Sequence, residues 1–210
     1  GGPGLNADMK AFSAHGAYGM GVVTALVSQN TRGVRDVHVP PVEFLRSQLD
    51  AVSDDVAIDA IKIGMLFDAP IIAEVTDWLE GLRSGNTAAA DAAGDAAAGI
   101  AAQDAPTADD EFLDGTPSPI VVLDPVMVAT SGDRLLKEEA EDALRGLLRH
   151  VDLVTPNIPE LAVLAGTAPA TIPGEALDQA RIVAAEYDVL VLAKGGHLIE
   201  GEVIDALVRP

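Results

Sequence analysis

Four short runs rich in Val, Ile or Leu recur along the chain without a regular polar alternation. They are Ala60-Met65, Ile120-Leu123, Leu153-Thr155 and Val189-Ala193. Runs of this length are typical of strands that are covered on both faces, as in a parallel sheet. The pattern therefore predicts a central sheet buried between two layers.

Apolar residues recur at helical spacing between these runs. The stripes are Ile71, Ile72, Val75, Trp78, Leu79 and Leu82; Ala140, Leu144, Leu147, Leu148 and Val151; and Leu177, Ala180, Val183, Ala184 and Tyr187. Each stripe can bury one face of a helix against a sheet. Because strands and helices alternate, we predict an α/β domain with a mostly parallel sheet.

The first fifty residues predict two further strands and a helix. Gly19-Gln29 is one strand, and Val34-Val39 is a short alternating strand that Pro40-Pro41 closes. Proline cannot donate to a strand ladder, so the second strand belongs at a sheet edge or in a flap. Phe44, Leu45, Leu49 and Val52 then have helical spacing.

The segment from Ser84 to about Ser118 has a different composition from the rest of the chain. It is dominated by small residues, carries seven acidic residues and no Lys or Arg, and has few large apolar side chains. Such a segment cannot build a core of its own. We interpret 84–118 as a flexible surface insertion within a single domain spanning 1–210, with a binding element as the alternative.

Charge and composition exclude several classes of function. The formal net charge is −20, so a surface that follows nucleic-acid phosphates is not expected. The chain has no cysteine, which excludes disulfides, thiolate zinc sites and a cysteine nucleophile within it and fits a reducing compartment. It also lacks a long apolar run or a signal peptide pattern, so we expect a soluble, cytoplasmic protein without a membrane partner.

Polar residues and glycines follow the apolar runs. Asp124 follows the second run, Asn157 the third, and Lys194-Gly195 the fourth. The carboxyl ends of parallel strands meet at one edge, where ligands collect. Glycines let backbone N–H groups approach phosphate oxygens, lysine balances their charge, and Asp124 with Asn157-x-x-Glu160 can hold magnesium through water. These features together predict a site for a nucleotide phosphate and a metal.

Each of these features also has a structural interpretation. Asn157 and Glu160, with Pro159 in the first turn, are typical of a helix start closed by a capping box. Asp124 before a proline can begin a turn, and Lys194 before two glycines can be an ordinary strand exit. Spacing alone does not separate the structural interpretation from the functional one.

Ordered blocks along nearly the whole chain carry a more specific pattern. They include Gly4-Leu5-Asn6-Ala7-Asp8-Met9-Lys10, Thr24 to Val34, Lys62-Ile63-Gly64-Met65-Leu66, Asp124-Pro125-Val126-Met127, Thr155-Pro156-Asn157-Ile158-Pro159-Glu160 and Lys194-Gly195-Gly196-His197. The chain thereby resembles the hydroxymethylpyrimidine and phosphomethylpyrimidine kinases of thiamin biosynthesis, in the ribokinase-like superfamily. This resemblance implies a three-layer α/β/α fold with a mostly parallel sheet and a small edge flap.

The resemblance also implies a pyrimidine pocket. Gln29 matches the glutamine that reads the ring, and its carboxamide offers a donor and an acceptor side by side. The Val27 carbonyl would accept from the amino group, and Met65 and Val126 would pack against the ring. Asp8 and Gly4 would lie near the pocket.

On the nucleotide side, the resemblance implies ATP and Mg²⁺ as cofactors. The implied phosphate-binding residues are Asn157, Lys194 and Gly195; the implied magnesium residues, acting through water, are Glu160, Asn157 and Asp124; and the implied catalytic residues are Lys194 and Asp124. The γ-phosphoryl group would pass to the hydroxymethyl oxygen, and a second transfer would yield the diphosphate. Positioning and charge neutralisation would supply most of the catalysis.

Departures from the family pattern leave alternatives open. The chain begins in a glycine-rich turn and stops after a strand-like run, so we expect the first strand to precede Gly1 and the anion-hole segment to follow Pro210. The alternatives are a pyridoxine or pyridoxal kinase, and a non-catalytic pyrimidine-binding module of a larger thiamin-pathway protein. By family analogy we expect a homodimer.

Overall fold

Strands and helices alternate in the computed structural model, which describes residues 4–84, 118–128, 135–196 and 203–210. The helices are α1 (Leu5–Ala14), α2 (Val42–Ser53), α3 (Ala69–Arg83), α4 (Glu141–Leu147), α5 (Ile158–Ala165) and α6 (Pro173–Tyr187). The strands are β1 (Leu26–Asn30), β2 (Gly33–His38), β3 (Ala60–Ile63), β4 (Ile120–Leu123), β5 (Leu153–Val154), β6 (Leu190–Ala193) and β7 (Ala206–Val208). The predicted insertion at 84–118 lies outside the described residues except for Ser84 and Ser118.

The main sheet has five strands in the order β3-β4-β5-β6-β7, and the first four run parallel. β7 closes this order as an antiparallel partner of β6. The four apolar runs thus form neighbouring parallel strands, as predicted. Backbone bonds continue just past the strand ends, where the Asp124 amide donates to the Ile63 carbonyl at 2.8 Å and the Thr155 amide to Leu123 at 2.9 Å. All four carboxyl ends therefore lie along one edge.

Helices cover both sides of the sheet and bury the apolar stripes. The largest fully buried side chains are Leu45, Ile71, Ile72, Leu79, Leu123, Leu136, Leu147, Leu148, Leu161, Leu164, Val121 and Val154. Burying one such side chain stabilises the fold by about 1.5–3 kcal/mol, more than a typical surface ion pair does. Apolar burial is therefore the main force that holds the layers together.

The apolar stripe at 140–151 does not form the continuous helix that its spacing predicts. It divides into the 3₁₀ turn Glu138–Ala140, α4, and the 3₁₀ turn Leu148–His150. Tighter i→i+3 turns are common at helix ends, and they keep Ala140 and Leu148 buried. Among the helices of the described ranges, none has the length and apolar content needed to cross a membrane.

β1 and β2 form a separate antiparallel sheet, which we call the flap. Of the two predicted positions for the second strand, the flap is therefore confirmed. The prediction of a strand from Gly19 is wrong, since β1 begins at Leu26. A Cβ at Gly19 would lie 2.5 Å from the Met9 Cε atom, so this segment packs against α1 instead of pairing with a strand.

Candidate active site

The carboxyl edge of the sheet brings a cation and an anion together. The Lys194 ammonium, directly after β6, lies 2.9 Å from the Asp124 carboxylate, directly after β4. The Thr155 hydroxyl, after β5, donates to the same Asp124 oxygen at 3.3 Å. Both charged side chains remain partly exposed, at 39% for Lys194 and 30% for Asp124, so a solute can reach them. The edge thus gathers the polar groups that the sequence predicts there.

Backbone pairing places Asn157 beside Lys194. The Lys194 amide donates to the Pro156 carbonyl at 2.9 Å, and Asn157 and Lys194 form a parallel bridge beyond the ends of β5 and β6. The ladder therefore carries the start of α5 and the exit of β6 to the same point. Asn157 and Lys194, two of the three predicted phosphate-binding residues, are thereby fixed relative to each other.

Asn157 and Glu160 close α5 with a complete capping box. The Glu160 amide donates to the Asn157 Oδ1 atom at 2.9 Å, and the Asn157 amide donates to the Glu160 Oε2 atom at 2.9 Å. The structural interpretation of this pair is thus confirmed. It does not exclude the functional one, because the carboxylate of Glu160 has a second oxygen.

Glu160 is a buried carboxylate in a charged neighbourhood. Its exposed fraction is 6%, and this burial raises the pKa of its carboxyl group. The charge of Asp124 raises that pKa further, whereas the Asn157 and Met127 amides and the Lys194 ammonium act to lower it. A cation bound near Glu160 and Asp124 would offset the repulsion between their negative charges.

The carboxylates of Asp124 and Glu160 are oxygen donors of the kind that magnesium binds. Mg²⁺ prefers oxygen ligands and usually keeps several waters while it binds one or two carboxylates. Asp124 and Glu160 supply two carboxylates, so they fit a cation held largely through water. No group of three or more His, Asp or Glu side chains within the described ranges could hold a metal directly.

Gly195 is required by a close approach of the chain. A Cβ at this position would lie 2.1 Å from the Ile204 carbonyl oxygen, so any side chain would force the segment before β7 away. The Gly195 amide donates to the Asp205 carboxylate at 2.9 Å. In this structure that N–H is thus occupied by Asp205, and its contact with a phosphate stays a prediction.

The predicted pyrimidine-binding residues come from two parts of the fold. Val27 and Gln29 share the half-buried face of β1 in the flap, and Met65 and Val126 are half-buried just after β3 and β4. In the described residues, no hydrogen bond joins Gln29 to Met65 or Val126. A cavity of about 310 Å³ on the flap is lined by Leu26, Val27, Ser28, Asp36 and His38, and its lining does not include Gln29, Met65 or Val126.

α1 carries the other two predicted pocket residues. Gly4 precedes the helix with a φ of 86° and its carbonyl accepts from the Ala7 and Asp8 amides at 2.8 and 3.1 Å. The Asp8 carboxylate pairs with the Lys62 ammonium of β3 at 2.9 Å. The start of α1 is thereby held beside the strand that leads to Met65.

Some residues that shape this site could not be assigned a role from the sequence. Asp205 holds the Gly195 amide, and Thr24 and Gln48 hold the chain that enters the flap. Each acts on a backbone group far away in sequence, which no local spacing reveals. Thr155 belongs to the block Thr155-Pro156-Asn157-Ile158-Pro159-Glu160, and its position at the end of a predicted strand could have indicated a place in the site.

Comparisons with known proteins identify the family of the chain. A model of the phosphomethylpyrimidine kinase family matches residues 1–92 and 99–210. The chain is 46% identical over its whole length to the thiamine biosynthesis multifunctional protein ThiED of Corynebacterium glutamicum. It is 41% identical over 94% of its length to the hydroxymethylpyrimidine/phosphomethylpyrimidine kinase of Escherichia coli.

A solved structure matches the fold as well. The phosphomethylpyrimidine kinase of Clostridium difficile shares 34% identity and a TM-score of 0.71, over 99% of this chain and 75% of that one. The fold is thus ribokinase-like, as predicted. The chain spans 23% of the Corynebacterium protein and 62% of the Escherichia protein. The match across both halves of the chain shows that it belongs to the phosphomethylpyrimidine kinase family.

Proposed function

We propose that this protein transfers the γ-phosphoryl group of ATP to 4-amino-5-hydroxymethyl-2-methylpyrimidine and to its monophosphate. The observation that carries the proposal is the Lys194–Asp124 pair, which lies beside the capped start of α5 at the carboxyl edge. Membership of a kinase family supports the use of ATP at that edge. In the first transfer the alcohol oxygen forms a bond to the γ-phosphorus, the bond from that phosphorus to ADP breaks, and the hydroxyl proton passes to solvent. In the second transfer a phosphate oxygen of the monophosphate forms the new bond in place of the alcohol oxygen, and ADP leaves in the same way.

Charge neutralisation is the task of the edge residues. Lys194 would approach the transferred phosphate, whose negative charge is spread over its outer oxygens. Asp124 orients the Lys194 ammonium through their ion pair and, with Glu160 and Asn157, would face a water-coordinated magnesium ion. When bound, Mg²⁺ supplies additional positive charge against the phosphate oxygens.

Recognition of the pyrimidine is assigned to the flap. The Gln29 carboxamide offers one donor and one acceptor to a ring nitrogen and the adjacent amino group. Val27, on the same face of β1, would accept through its carbonyl oxygen. Met65 and Val126 would cover the ring, while Asp8 and Gly4 would border the pocket. Such a pocket excludes water from the alcohol during transfer.

A comparison of two alcohol substrates, assayed separately, tests this assignment. The full-length protein is given ATP, Mg²⁺ and either the pyrimidine alcohol or pyridoxal, and ADP release is followed. We expect kcat/KM for the pyrimidine to exceed that for pyridoxal at least about tenfold, because Gln29 matches the aminopyrimidine edge. Protein carrying Lys194→Met, purified in the same way, controls for contaminating kinases.

Two outcomes would contradict the proposal. A strong preference for pyridoxal would indicate a pyridoxal kinase. Tight pyrimidine binding without ADP release would indicate a non-catalytic binding module. The single domain, the homodimer, the cytoplasmic location and the absence of nucleic-acid and membrane partners stay predictions.

A further inference from the structure

The chain that enters the flap is held at two points by side chains. Gln48 of α2 accepts from the Val23 amide at 3.1 Å and donates to the Val23 carbonyl at 3.2 Å. One residue later, the Thr24 hydroxyl donates to the Met65 carbonyl at 2.7 Å. These bonds join three parts of the fold: the entry to the flap, α2 and the end of β3.

The Thr24 bond links the two halves of the proposed pyrimidine pocket. Thr24 lies two residues before β1, which carries Val27 and Gln29. Its acceptor is the backbone of Met65, which is proposed to cover the ring. Its donor–acceptor distance is typical of a hydroxyl donor and the bond is partly buried, so water competes with it only in part. It therefore fixes the separation between the flap and the sheet edge.

Among the described residues, strand pairing does not attach the flap to the main sheet. β1 and β2 pair with each other and are separate from the main sheet. The outward-facing Leu26 side chain is 58% exposed, so apolar burial contributes little on that face of β1. The position of Gln29 relative to Met65 consequently depends in part on how the entry segment is anchored.

We infer that Thr24 is a positioning residue for pyrimidine recognition, acting through the Met65 carbonyl, with Gln48 holding the same segment against α2. The inference rests on the proposed function, since it concerns the same pocket. A displaced flap moves the Gln29 carboxamide away from the ring while the strand-end cluster around Lys194 is unchanged. Loss of the bond therefore affects the pyrimidine and not ATP.

Thr24→Val tests this with little change in side-chain shape. We expect KM for the pyrimidine to rise about fivefold, the equivalent of one net hydrogen bond, with KM for ATP unchanged. Thr24→Ser, which keeps the hydroxyl, is expected to restore the wild-type value. Thr76→Val is the matched control, because the Thr76 hydroxyl donates to the Ile72 carbonyl at 2.8 Å within α3, in a similar hydroxyl-to-carbonyl bond.

Hydrogen exchange gives a second measurement that needs no turnover. In Thr24→Val, the amides of β1 and β2 are expected to exchange faster, while those of β4 to β6 keep their protection. Equal pyrimidine KM values, or equal flap exchange, in Thr24→Val and Thr76→Val would overturn the inference. Absence of turnover in the wild-type protein would overturn the proposed function instead, and exchange would still decide the role of Thr24.

Discussion

Glu160→Gln is expected to lower turnover about 10- to 100-fold and to raise the magnesium concentration needed for half-maximal rate. The substitution removes a carboxylate that faces the proposed metal region, and changes next to metal sites have effects of this size. Glutamine at this position can still complete the capping box with Asn157. The variant thus loses the negative charge and keeps the helix cap. Magnesium titrations of kcat for the variant and the wild type then measure the effect of the charge.

The raised pKa of Glu160 also predicts the direction in which the same variant changes thermal stability. Because burial raises the pKa of Glu160, the stabilising contribution of its protonated form is present at low pH and is lost as the pH rises through the folded-state pKa. At neutral pH and in EDTA, Glu160→Gln is therefore expected to melt no earlier than the wild type.

Glu160→Ala is the matched control for this experiment. It removes both the charge and the Glu160 half of the capping box, so it should also lower the free energy of unfolding by about 1 kcal/mol. If Glu160→Gln melts early and keeps wild-type kinetics, the residue serves α5 alone and the magnesium assignment is wrong.

Gln29→Leu is expected to raise KM for the pyrimidine about 100-fold with KM for ATP within about twofold. Leucine keeps a similar volume but removes the paired donor and acceptor, so two polar groups of the ring lose their partners on binding. Initial rates with each substrate varied in turn measure both constants.

Ser28→Ala is the control on the opposite face of the same strand. Ser28 is exposed, whereas Val27 and Gln29 are half-buried, so its loss should leave both KM values unchanged. Equal losses for the pyrimidine and ATP in Gln29→Leu would place Gln29 outside the pocket and indicate a general disturbance of the fold.

Local pattern predicted the main sheet because its parallel strands are short runs rich in Val, Ile or Leu. Ile120-Leu123 has little polar alternation, and the structure places β4 at those residues, in the interior of the sheet. The convergence of Asp124 and Lys194 followed from the rule that parallel strands end at a common edge. Their 70-residue separation did not matter, because topology alone brings them together.

Other features depended on contacts that spacing does not encode. The strand expected from Gly19 begins later, because Gly19 and Gly21 pack against α1 side chains and Gln48 takes the Val23 backbone. The sequence also does not reveal the close contact of Gly195 with Ile204, since glycine is common where a strand ends. Asn157 and Glu160 had two interpretations at one spacing, and the capping geometry could only be resolved from coordinates.

Transfer of the γ-phosphoryl group to the pyrimidine monophosphate can be observed directly in the phosphorus spectrum. The full-length protein is incubated with ATP, Mg²⁺ and the pyrimidine monophosphate, and the reaction is monitored by ³¹P NMR. We expect the monoester signal to be replaced by two coupled diphosphate signals as ADP appears in equal amount. An unchanged monoester signal, whether ATP stays intact or is hydrolysed to inorganic phosphate, would contradict it.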